Sequence, residues 1–238
     1  MAERLRADRL LVERGLFESR AKAQAAIEAG LVRAGGKPVR KASEEIATDS
    51  EIEASPAHPY VSRGGLKLAP ALNHFGFDPA GRVCLDVGAS TGGFTDVLLR
   101  AGAMRVYAVD VGTAQLHASL RADPRVVSFE QMDIRKLDGA KLDPPPDFAV
   151  VDVSFIALKL VLPVVTALLR RPSNLVALIK PQFEIGPNAS LKDADMQKVT
   201  QDAEAAATAL GWRVHRTIPS PVEGGDGDRE FLMAASRE

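Results

Sequence analysis

The chain has 238 residues, of which 46% are hydrophobic and 26% charged, a composition typical of a folded globular protein rather than a disordered one. Its longest apolar run, residues 160–169, is broken by Pro163 and is about half as long as a membrane-spanning helix requires. The charged first ten residues leave no apolar core for a signal peptide. The single cysteine, Cys84, excludes an internal disulfide and a cysteine-based zinc site. We therefore expect a cytoplasmic protein.

Positive charge is concentrated at the start of the chain. Residues 1–41 contain ten Lys or Arg and five Asp or Glu, a net charge of +5, although the whole chain has a net charge of −1. This asymmetry favours a polyanionic partner, with a solvated helix face as the alternative explanation.

The first elements of the chain form a short α+β pattern. Apolar spacing predicts a helix over residues 7–15, ended by Gly15, and a second helix over residues 20–29, capped by Ser19 and ended by Gly30. Residues 31–39 predict a hairpin around a Gly-Gly turn, and residues 51–53 a further strand. Prolines at positions 56 and 59 indicate a domain boundary, which gives a first domain over residues 1–58 with a linker to about residue 63, and a second over residues 59–238.

This N-terminal pattern resembles the S-four (S4) RNA-binding domain. The matching positions are residues 6–15, Ser19-Arg20, residues 30–33 and residues 36–39, whereas the turn reads Ala34-Gly35-Gly36 where that family usually has Val-Asn-Gly. The resemblance implies that basic side chains of this segment bind RNA, namely Arg6, Arg9, Arg20, Lys22, Arg33, Lys37, Arg40 and Lys41.

From residue 82 onward, short apolar runs alternate with helical patterns, which indicates βαβ units and a mainly parallel sheet. A helix over residues 64–75 precedes this region. The predicted parallel strands are residues 83–87, 105–110, 126–131, 148–153 and 175–180. Residues 212–218 and 230–235 predict a hairpin that adds the last strand antiparallel.

The most informative loop is the glycine-rich segment 86–94, which connects a predicted strand to a predicted helix. Its glycines do not fit a dinucleotide-binding fingerprint, and it lacks the Gly-Lys-Ser/Thr ending of a phosphate loop. The pattern D-x-G-x-x-x-G-G resembles the first motif of S-adenosylmethionine-dependent methyltransferases, with a ligand-free tight turn as the alternative. The resemblance implies cofactor binding by Asp86, Gly88, Ser90, Gly92, Gly93 and Phe94.

Acidic residues follow the next strands, at the edge where open α/β sheets bind ligands. Asp110 ends the second strand and can accept hydrogen bonds from a ribose diol, and Asp133 lies just past the third, where it can meet an adenine amine. A carboxylate that caps a helix or lies in a solvated loop is the alternative for each. Asp152 ends the fourth strand, where methyltransferases of this fold place residues beside the transferred methyl group.

Four charged residues can meet at this edge: Lys67, Asp152, Lys180 and Glu230. They resemble the Lys-Asp-Lys-Glu tetrad of FtsJ-like ribose 2′-O-methyltransferases. Asp228 stands where that family usually has Asn, which leaves Glu223 as a competitor for the fourth position. The alternative for the two lysines is an ordinary structural ion pair with Asp152 or Glu184.

Across nearly its whole length the chain resembles the TlyA family of ribosomal RNA 2′-O-methyltransferases, some of which are called haemolysins. The matching motifs are residues 60–68, 86–94, 152–156 and 179–184. The expected fold is α/β: a Rossmann-like class I methyltransferase sheet, mainly parallel with an antiparallel last strand, behind a small α+β S4-like domain.

The TlyA resemblance also implies S-adenosylmethionine as cofactor and a ribosomal RNA or subunit as partner. Cytidine 2′-O-methylation in 23S rRNA is expected, with 16S rRNA as a further target. Because the chain ends a few residues after its last strand, it is similar to the shorter members, which act on 23S rRNA alone. Arg63, in the linker, is a further candidate for RNA binding.

Two other classes remain open from the sequence. A non-catalytic RNA-binding adaptor would have the same domains without the chemistry, but the motif residues are intact. A membrane-lytic toxin predicts apolar or amphipathic membrane segments, and none stands out.

Overall fold

The computed structural model describes residues 3–185, 193–224 and 227–238. The chain divides into two compact units, an N-terminal unit of residues 1–59 and a C-terminal unit of residues 60–238.

The N-terminal unit contains two helices and five short strands. They are β1 (Arg4–Arg6), α1 (Ala7–Glu13), α2 (Arg20–Glu28), β2 (Val32–Ala34), β3 (Lys37–Pro38), β4 (Glu45–Ala47) and β5 (Ile52–Ala54). Strand β2 pairs with β3 and β5, and β1 pairs with β4, all antiparallel. The sequence did not predict β1 and β4, because a three-residue strand is too short to show an alternating pattern.

The predicted helix ends of this unit are confirmed. The Ser19 hydroxyl accepts a hydrogen bond from the Lys22 backbone amide at 3.3 Å, which caps α2. Gly15 and Gly30 both have φ near +70°, as helix-ending residues commonly do. Apolar side chains of both helices, including Leu11 and Ile27, pack into one small core with the strands.

The C-terminal unit alternates strands and helices. Its elements are α3 (Gly65–Phe75), β6 (Val83–Val87), α4 (Gly93–Arg100), β7 (Arg105–Val109), α5 (Ala118–Arg121), β8 (Val126–Phe129), β9 (Phe148–Val151), α6 (Leu158–Leu168), β10 (Ser173–Ile179), α7 (Pro181–Glu184), α8 (Asp193–Ala209), β11 (Arg213–Pro219) and β12 (Phe231–Arg237), with two short 3-10 turns at Ile134–Lys136 and Gly139–Lys141.

Seven strands form one sheet in the order β11-β12-β10-β9-β6-β7-β8. Strands β8, β7, β6, β9 and β10 are parallel, and β12 runs antiparallel to both of its neighbours, as predicted. Strands β6, β7, β9, β10 and β12 are buried on both faces, whereas the edge strands β8 and β11 are partly exposed. Alternate residues face opposite layers: Leu85 lies in the core shared with α6 and α8, and Cys84 in the core shared with α3 and α4.

Several parallel strands end earlier than predicted. Strand β7 ends at Val109 and β9 at Val151, so Asp110 and Asp152 lie in the loops that follow and not within the ladder. Their side chains are therefore free of the two-sided burial that the strand residues experience. This places both acids at the carboxyl edge of the sheet.

Candidate active site

The register of the sheet brings the predicted site residues to one edge. Val87 pairs with Val109 on one side and with Val151 on the other, so Gly88, Asp110 and Asp152 leave their strands at the same level. Ile179 pairs with Phe231, which places Lys180 and Glu230 side by side as β10 ends and β12 begins. Five sequence-distant positions thus converge because the ladder aligns them.

The glycine turn after β6 packs tightly against the loop after β9. Gly88 has φ of +83°, and a Cβ there would collide with the carbonyl oxygen of Asp152. Only glycine allows this approach. The next residue but one, Ser90, is exposed, and its backbone amide donates a hydrogen bond of 2.8 Å to Asp110 Oδ2.

Asp86 is fully buried beneath this turn. Its Oδ2 accepts a 2.6 Å hydrogen bond from the Thr95 hydroxyl, whereas Oδ1 has no hydrogen-bond partner among the described residues. Burial raises the pKa of Asp86 to about 7; the negative charges of Asp152 and Asp110 act in the same direction, and the Thr95 bond opposes them. A carboxyl group this short of donors is balanced between its neutral and charged forms near neutral pH.

A cavity of about 460 Å³ opens at the edge of the sheet, beside this turn. Gly88, Ser90, Asp110 and Asp133 line it together with apolar side chains, including Val109, Met132 and Ile134, and Asp152 lies at its other side. Its size and mixed lining suit a nucleoside-sized ligand.

The two acids expected to hold such a ligand already have protein partners. Asp110 accepts hydrogen bonds from the backbone amides of Ser90 and Gly112, which fix its carboxylate at the cavity wall. Asp133 pairs with Arg135 at 2.6 Å, and this bond lowers the pKa of Asp133 to about 2. Each carboxylate is thus oriented by its partners, and its oxygens keep further acceptor capacity.

Four predicted cofactor residues do not line the cavity: Asp86, which is buried beneath the turn, and Gly92, Gly93 and Phe94. Gly92 and Gly93 form the start of α4, where Gly92 (φ +95°) packs under Leu120. The Phe94 ring is 3% exposed and belongs to the core between α3, α4 and the sheet. Its aromatic side chain anchors α4, a packing role that the motif alone does not reveal.

Two ion pairs account for the four predicted catalytic residues. The Lys180 ammonium lies 2.6 Å from Asp152 Oδ1 and donates a 3.0 Å hydrogen bond to the Ser154 hydroxyl. Asp152 Oδ1 is buried and makes no hydrogen bond with any described residue, Lys180 included. The contact is an ion pair that leaves an acceptor position open.

The second pair joins α3 to the start of β12. The Lys67 ammonium donates a hydrogen bond to Glu230 Oε2, and both side chains are at least nine-tenths buried. Glu223, the competing acid, is exposed. The geometry therefore favours Glu230 as the fourth member of the group.

Glu184 is not the partner of Lys180. Its Oε1 accepts a 2.8 Å hydrogen bond from the backbone amide of Leu158, at the first turn of α6. Burial raises the pKa of Glu184, and the Leu158 bond partly offsets this. This acid has the structural task of fixing the α6 N-terminus.

In the N-terminal unit, a buried carboxylate holds two of the predicted RNA-binding arginines. Asp8 is 0% exposed and accepts hydrogen bonds from Arg6 at 3.0 Å, Arg20 at 2.7 Å and Gln24 at 2.8 Å. The bond from Arg6 is the main cause that holds the pKa of Asp8 well below its usual range. Both arginines remain about half exposed, so each has a structural partner and a solvent-facing side.

The other predicted cations differ in how far they are paired. Arg9 lies 3.7 Å from Glu13, Lys22 pairs with Glu18, and Arg33 lies 3.9 Å from Glu53. Lys37 lies in β3, and Arg40 and Lys41 follow that strand; all three are exposed and make no ion pair with any residue that the structure describes. Arg63, in the C-terminal unit, is likewise exposed and without an ion pair within the described part of the chain.

Comparison with known proteins agrees with these two units. The FtsJ-like methyltransferase family matches residues 60–237, and the S4 domain family matches residues 5–52. The 16S/23S rRNA (cytidine-2′-O)-methyltransferase TlyA of Mycobacterium tuberculosis is 42% identical over 98% of this chain and 90% of its own length. The chain belongs to the TlyA family of FtsJ-like methyltransferases.

Other TlyA-like proteins carry a different name. "Hemolysin A" of Brachyspira hyodysenteriae is 39% identical over 96% of this chain and 98% of its own length. The solved structure of a "Putative hemolysin from Streptococcus thermophilus" is 40% identical, with a TM-score of 0.77 over 100% of this chain and 90% of that chain. Among the described residues, no helix is long and apolar enough to cross a membrane.

Membership of the TlyA family confirms the predicted enzyme class. The protein is an S-adenosylmethionine-dependent RNA methyltransferase with an S4 domain. The adaptor alternative loses its basis, because both the family and the intact charged groups at the sheet edge indicate catalysis.

Sequence reasoning missed several residues around this site. Ser154 contacts Lys180, Gln182 donates a 3.1 Å hydrogen bond to Asp228, and Phe155 is 90% exposed at the cavity with φ of +65°. All three lie beside residues that the motifs did identify. Their contacts depend on loop conformations, which residue spacing does not determine.

Proposed function

We propose that the protein methylates the ribose 2′-hydroxyl of a cytidine in ribosomal RNA, in 23S rRNA with 16S rRNA as a second candidate, and that it acts on a ribosomal subunit. The observation that carries this proposal is the pair of ion pairs, Lys180–Asp152 and Lys67–Glu230, at the edge of the sheet beside the cavity. The names of the relatives support the nucleotide and the RNA. An rRNA substrate would place the enzyme in the cytoplasm.

The cavity fits the methyl donor. Gly88 lines the cavity without a side chain, Asp110 presents a fixed carboxylate for a ribose diol, and Met132 and Ile134 offer apolar surface for a base. Asp133 lies on the same wall, within reach of an exocyclic amine. When bound, S-adenosylmethionine supplies an electrophilic methyl group on a sulfonium centre.

The nucleophile is a ribose hydroxyl, which must lose its proton as the new carbon–oxygen bond forms. We assign Lys180 to that oxygen: in its neutral amine form it accepts the hydroxyl proton as the carbon–oxygen bond forms and the sulfonium–methyl bond breaks, and the ammonium that forms stabilises the negative charge developing on the oxygen. Asp152 orients Lys180 through their 2.6 Å contact. Lys67 and Glu230, held together and nearly buried, fix the nucleotide and set the local charge. Positioning of the reacting atoms supplies much of the rate.

Docking of the substrate is assigned to the N-terminal unit. RNA is too large for the cavity, and the exposed cations of this unit can bind its phosphates. Phosphate contacts supply affinity without sequence selectivity. Sequence selectivity then depends on which nucleotide reaches the tetrad.

The test is transfer of labelled methyl from S-adenosylmethionine to purified 50S and 30S subunits. We expect incorporation at a ribose 2′-oxygen of one cytidine, lost by about a hundredfold or more in Lys180→Ala, while Lys198→Ala, an exposed lysine of α8, retains wild-type activity. Mapping the modified nucleotide separates 23S from 16S rRNA.

Two results would contradict the proposal. Incorporation into a base instead of a ribose would overturn the 2′-hydroxyl assignment. Near-normal methylation by Lys180→Ala, with RNA and cofactor binding unchanged, would remove Lys180 from the reaction.

A further inference from the structure

The two strands that deliver half of each ion pair separate immediately after the ladder ends. Ile179 and Phe231 are the last paired positions of β10 and β12. Beyond them, Lys180 leads into α7, and Glu230 is preceded by a loop that reaches back to Ser220. The ladder therefore sets Lys180 beside Glu230, but strand pairing does not fix the segments that lie beyond these two residues.

A side-chain hydrogen bond joins the diverging segments. Gln182 Nε2 donates to Asp228 Oδ2 at 3.1 Å, between residues 46 positions apart in sequence. The Gln182 Oε1 atom is buried and has no partner among the described residues. Burying an unpaired amide oxygen costs free energy. Among the described residues, the bond from Nε2 to Asp228 is therefore the polar contact that stabilises this side-chain position.

On the Glu230 side, Asp228 is bonded to Gly224, which packs on the Glu230 carboxylate. The Asp228 carbonyl accepts a 2.9 Å hydrogen bond from the Gly224 amide, and a Cβ on Gly224 would lie 2.8 Å from Glu230 Oε1. The Glu230 carbonyl accepts a 2.8 Å bond from the Ser220 amide. A shift of Asp228 would therefore move Gly224, which packs on Glu230. Glu230 is the ion-pair partner of Lys67, so this pair would move as well.

On the Lys180 side, Gln182 belongs to a segment that is fixed to the loop after β9. Lys180 contacts Asp152, the ring centroids of Phe183 and Phe155 are 4.9 Å apart, and Glu184 accepts from the Leu158 amide. Lys180, Phe183 and Glu184 thus contact the loop after β9 and the start of α6, whereas the Gln182 side chain bonds to Asp228 in the segment before β12.

We propose that Gln182 is a positioning residue, which through Asp228 keeps the Lys67–Glu230 pair at its working distance from the Lys180–Asp152 pair. This inference rests on the proposed function, because it assigns Gln182 to the same reaction. Gln182 need not touch RNA or cofactor. It acts through Glu230.

The test compares Gln182→Ala, Asp228→Ala and Asp228→Asn in the full chain. We expect the two alanine variants to lose about tenfold to a hundredfold in single-turnover methyl transfer, with S-adenosylmethionine affinity and subunit KM within about threefold of wild type. Asp228→Asn keeps an acceptor oxygen for Gln182 and should therefore retain most of the wild-type rate. Gln201→Ala, an exposed glutamine of α8, is the matched control and should match wild type.

A double-mutant cycle then separates positioning from a general structural effect. In the Glu230→Gln background, Gln182→Ala should add little further loss, because the group it positions has already been changed. Full additivity of the two losses would overturn the proposal, as would a wild-type rate for Gln182→Ala.

Amide hydrogen exchange gives a readout that does not need RNA. Exchange of residues 227–230 should accelerate in Gln182→Ala and not in Asp228→Asn, while the strands of the sheet stay unchanged. Unchanged exchange would overturn the inference whatever the substrate is. If the wild type methylates neither subunit but exchange in Gln182→Ala is altered as expected, the result would count against the proposed function. It would not count against the positioning role of the Gln182–Asp228 hydrogen bond.

Discussion

Two buried aspartates, one in each unit, have opposite electrostatic states. Asp8 and Asp86 are both 0% exposed. Hydrogen bonds from Arg6, Arg20 and Gln24 lower the pKa of Asp8, whereas burial with one hydroxyl donor raises the pKa of Asp86 to about 7. Neither side chain reaches solvent, yet the results are opposite: Asp8 lies just beneath two half-exposed arginines that favour its charged form, whereas Asp86 lies deep in its unit with one hydroxyl donor.

The difference separates a structural acid from one that belongs to a binding site. Asp8 has three donors and ties α1 to α2, so no oxygen needs a ligand. Asp86 lies under the Gly88 turn with Oδ1 unpaired among the described residues, at the edge where a cationic methyl donor is expected. An acid left short of donors is a common feature of functional sites.

The largest expected effect is a pH dependence of stability that Asp86→Asn removes. The folded state holds a proton on Asp86 that the unfolded chain releases near pH 4, so this group stabilises the fold fully below pH 4. The contribution is lost as pH rises through about 7. Over about three pH units, at about 1.4 kcal/mol each, the loss amounts to about 4 kcal/mol.

Urea unfolding of wild type and Asp86→Asn between pH 4 and pH 8 measures this effect. As pH rises from 4 to 8, the free energy of unfolding of the wild type should fall relative to that of Asp86→Asn. Parallel pH curves would show that Asp86 ionises normally and would break the contrast with Asp8. The Asp96→Asn variant is the matched control, because Asp96 is a buried aspartate of the same unit that pairs with Arg100.

The second effect is a loss of stability confined to the N-terminal unit in Asp8→Ala. Three donors lose their acceptor, which costs about 1–3 kcal/mol, because water reaches both half-exposed arginines and limits the loss. The lowered pKa of Asp8 means that its contribution exists above about pH 4 and disappears as pH falls below that value.

Amide exchange of α1 and α2 measures the Asp8→Ala effect, with β6 in the other unit as an internal reference. Exchange should rise in the two helices and not in β6. Equal protection in wild type and variant at pH 7 would show that the arginines do not depend on Asp8.

The contrast also shows what the sequence can and cannot predict. Apolar runs followed by acids located Asp110 and Asp152 at strand ends, because parallel strands share one carboxyl edge. The pairing of Lys67 with Glu230 spans 163 positions, and the family resemblance, not periodicity, pointed to it. Phe94 shows the reverse failure: it lies within the cofactor motif, yet its ring packs in the core.

Side-chain partners were the least predictable part of the molecule. Asp8 reads as an ordinary first-turn acid of α1, and only the packing of α1 against α2 brings Arg20 and Gln24 to it. Gln182 reads as a loop residue until the β11–β12 turn is placed beside it. Such contacts depend on loop geometry, which hydrophobic patterning does not encode.

The smallest expected effect is on the salt dependence of RNA binding by the N-terminal unit. It distinguishes cations without an ion-pair partner among the described residues from cations that are paired with an acid. Arg40 and Lys41 are exposed and have no ion-pair partner among the described residues, so each can neutralise one phosphate. Arg40→Ala and Lys41→Ala should each reduce the slope of log affinity against log salt by about 1 for an rRNA fragment. Arg20 is already neutralised by Asp8, so Arg20→Ala should change this slope less and lower stability more.

Binding of the same fragment at four or more salt concentrations decides the matter, with Lys198→Ala of α8 as a control for loss of one positive charge. If Arg20→Ala lowers the slope as much as Lys41→Ala does and leaves the unfolding curve unchanged, Arg20 turns toward RNA despite its 2.7 Å bond to Asp8. Asp8 would then orient a binding residue, as Asp152 is proposed to orient Lys180. Otherwise the two acids have separate roles: Asp8 joins α1 to α2, and Asp152 orients Lys180 for the proposed reaction.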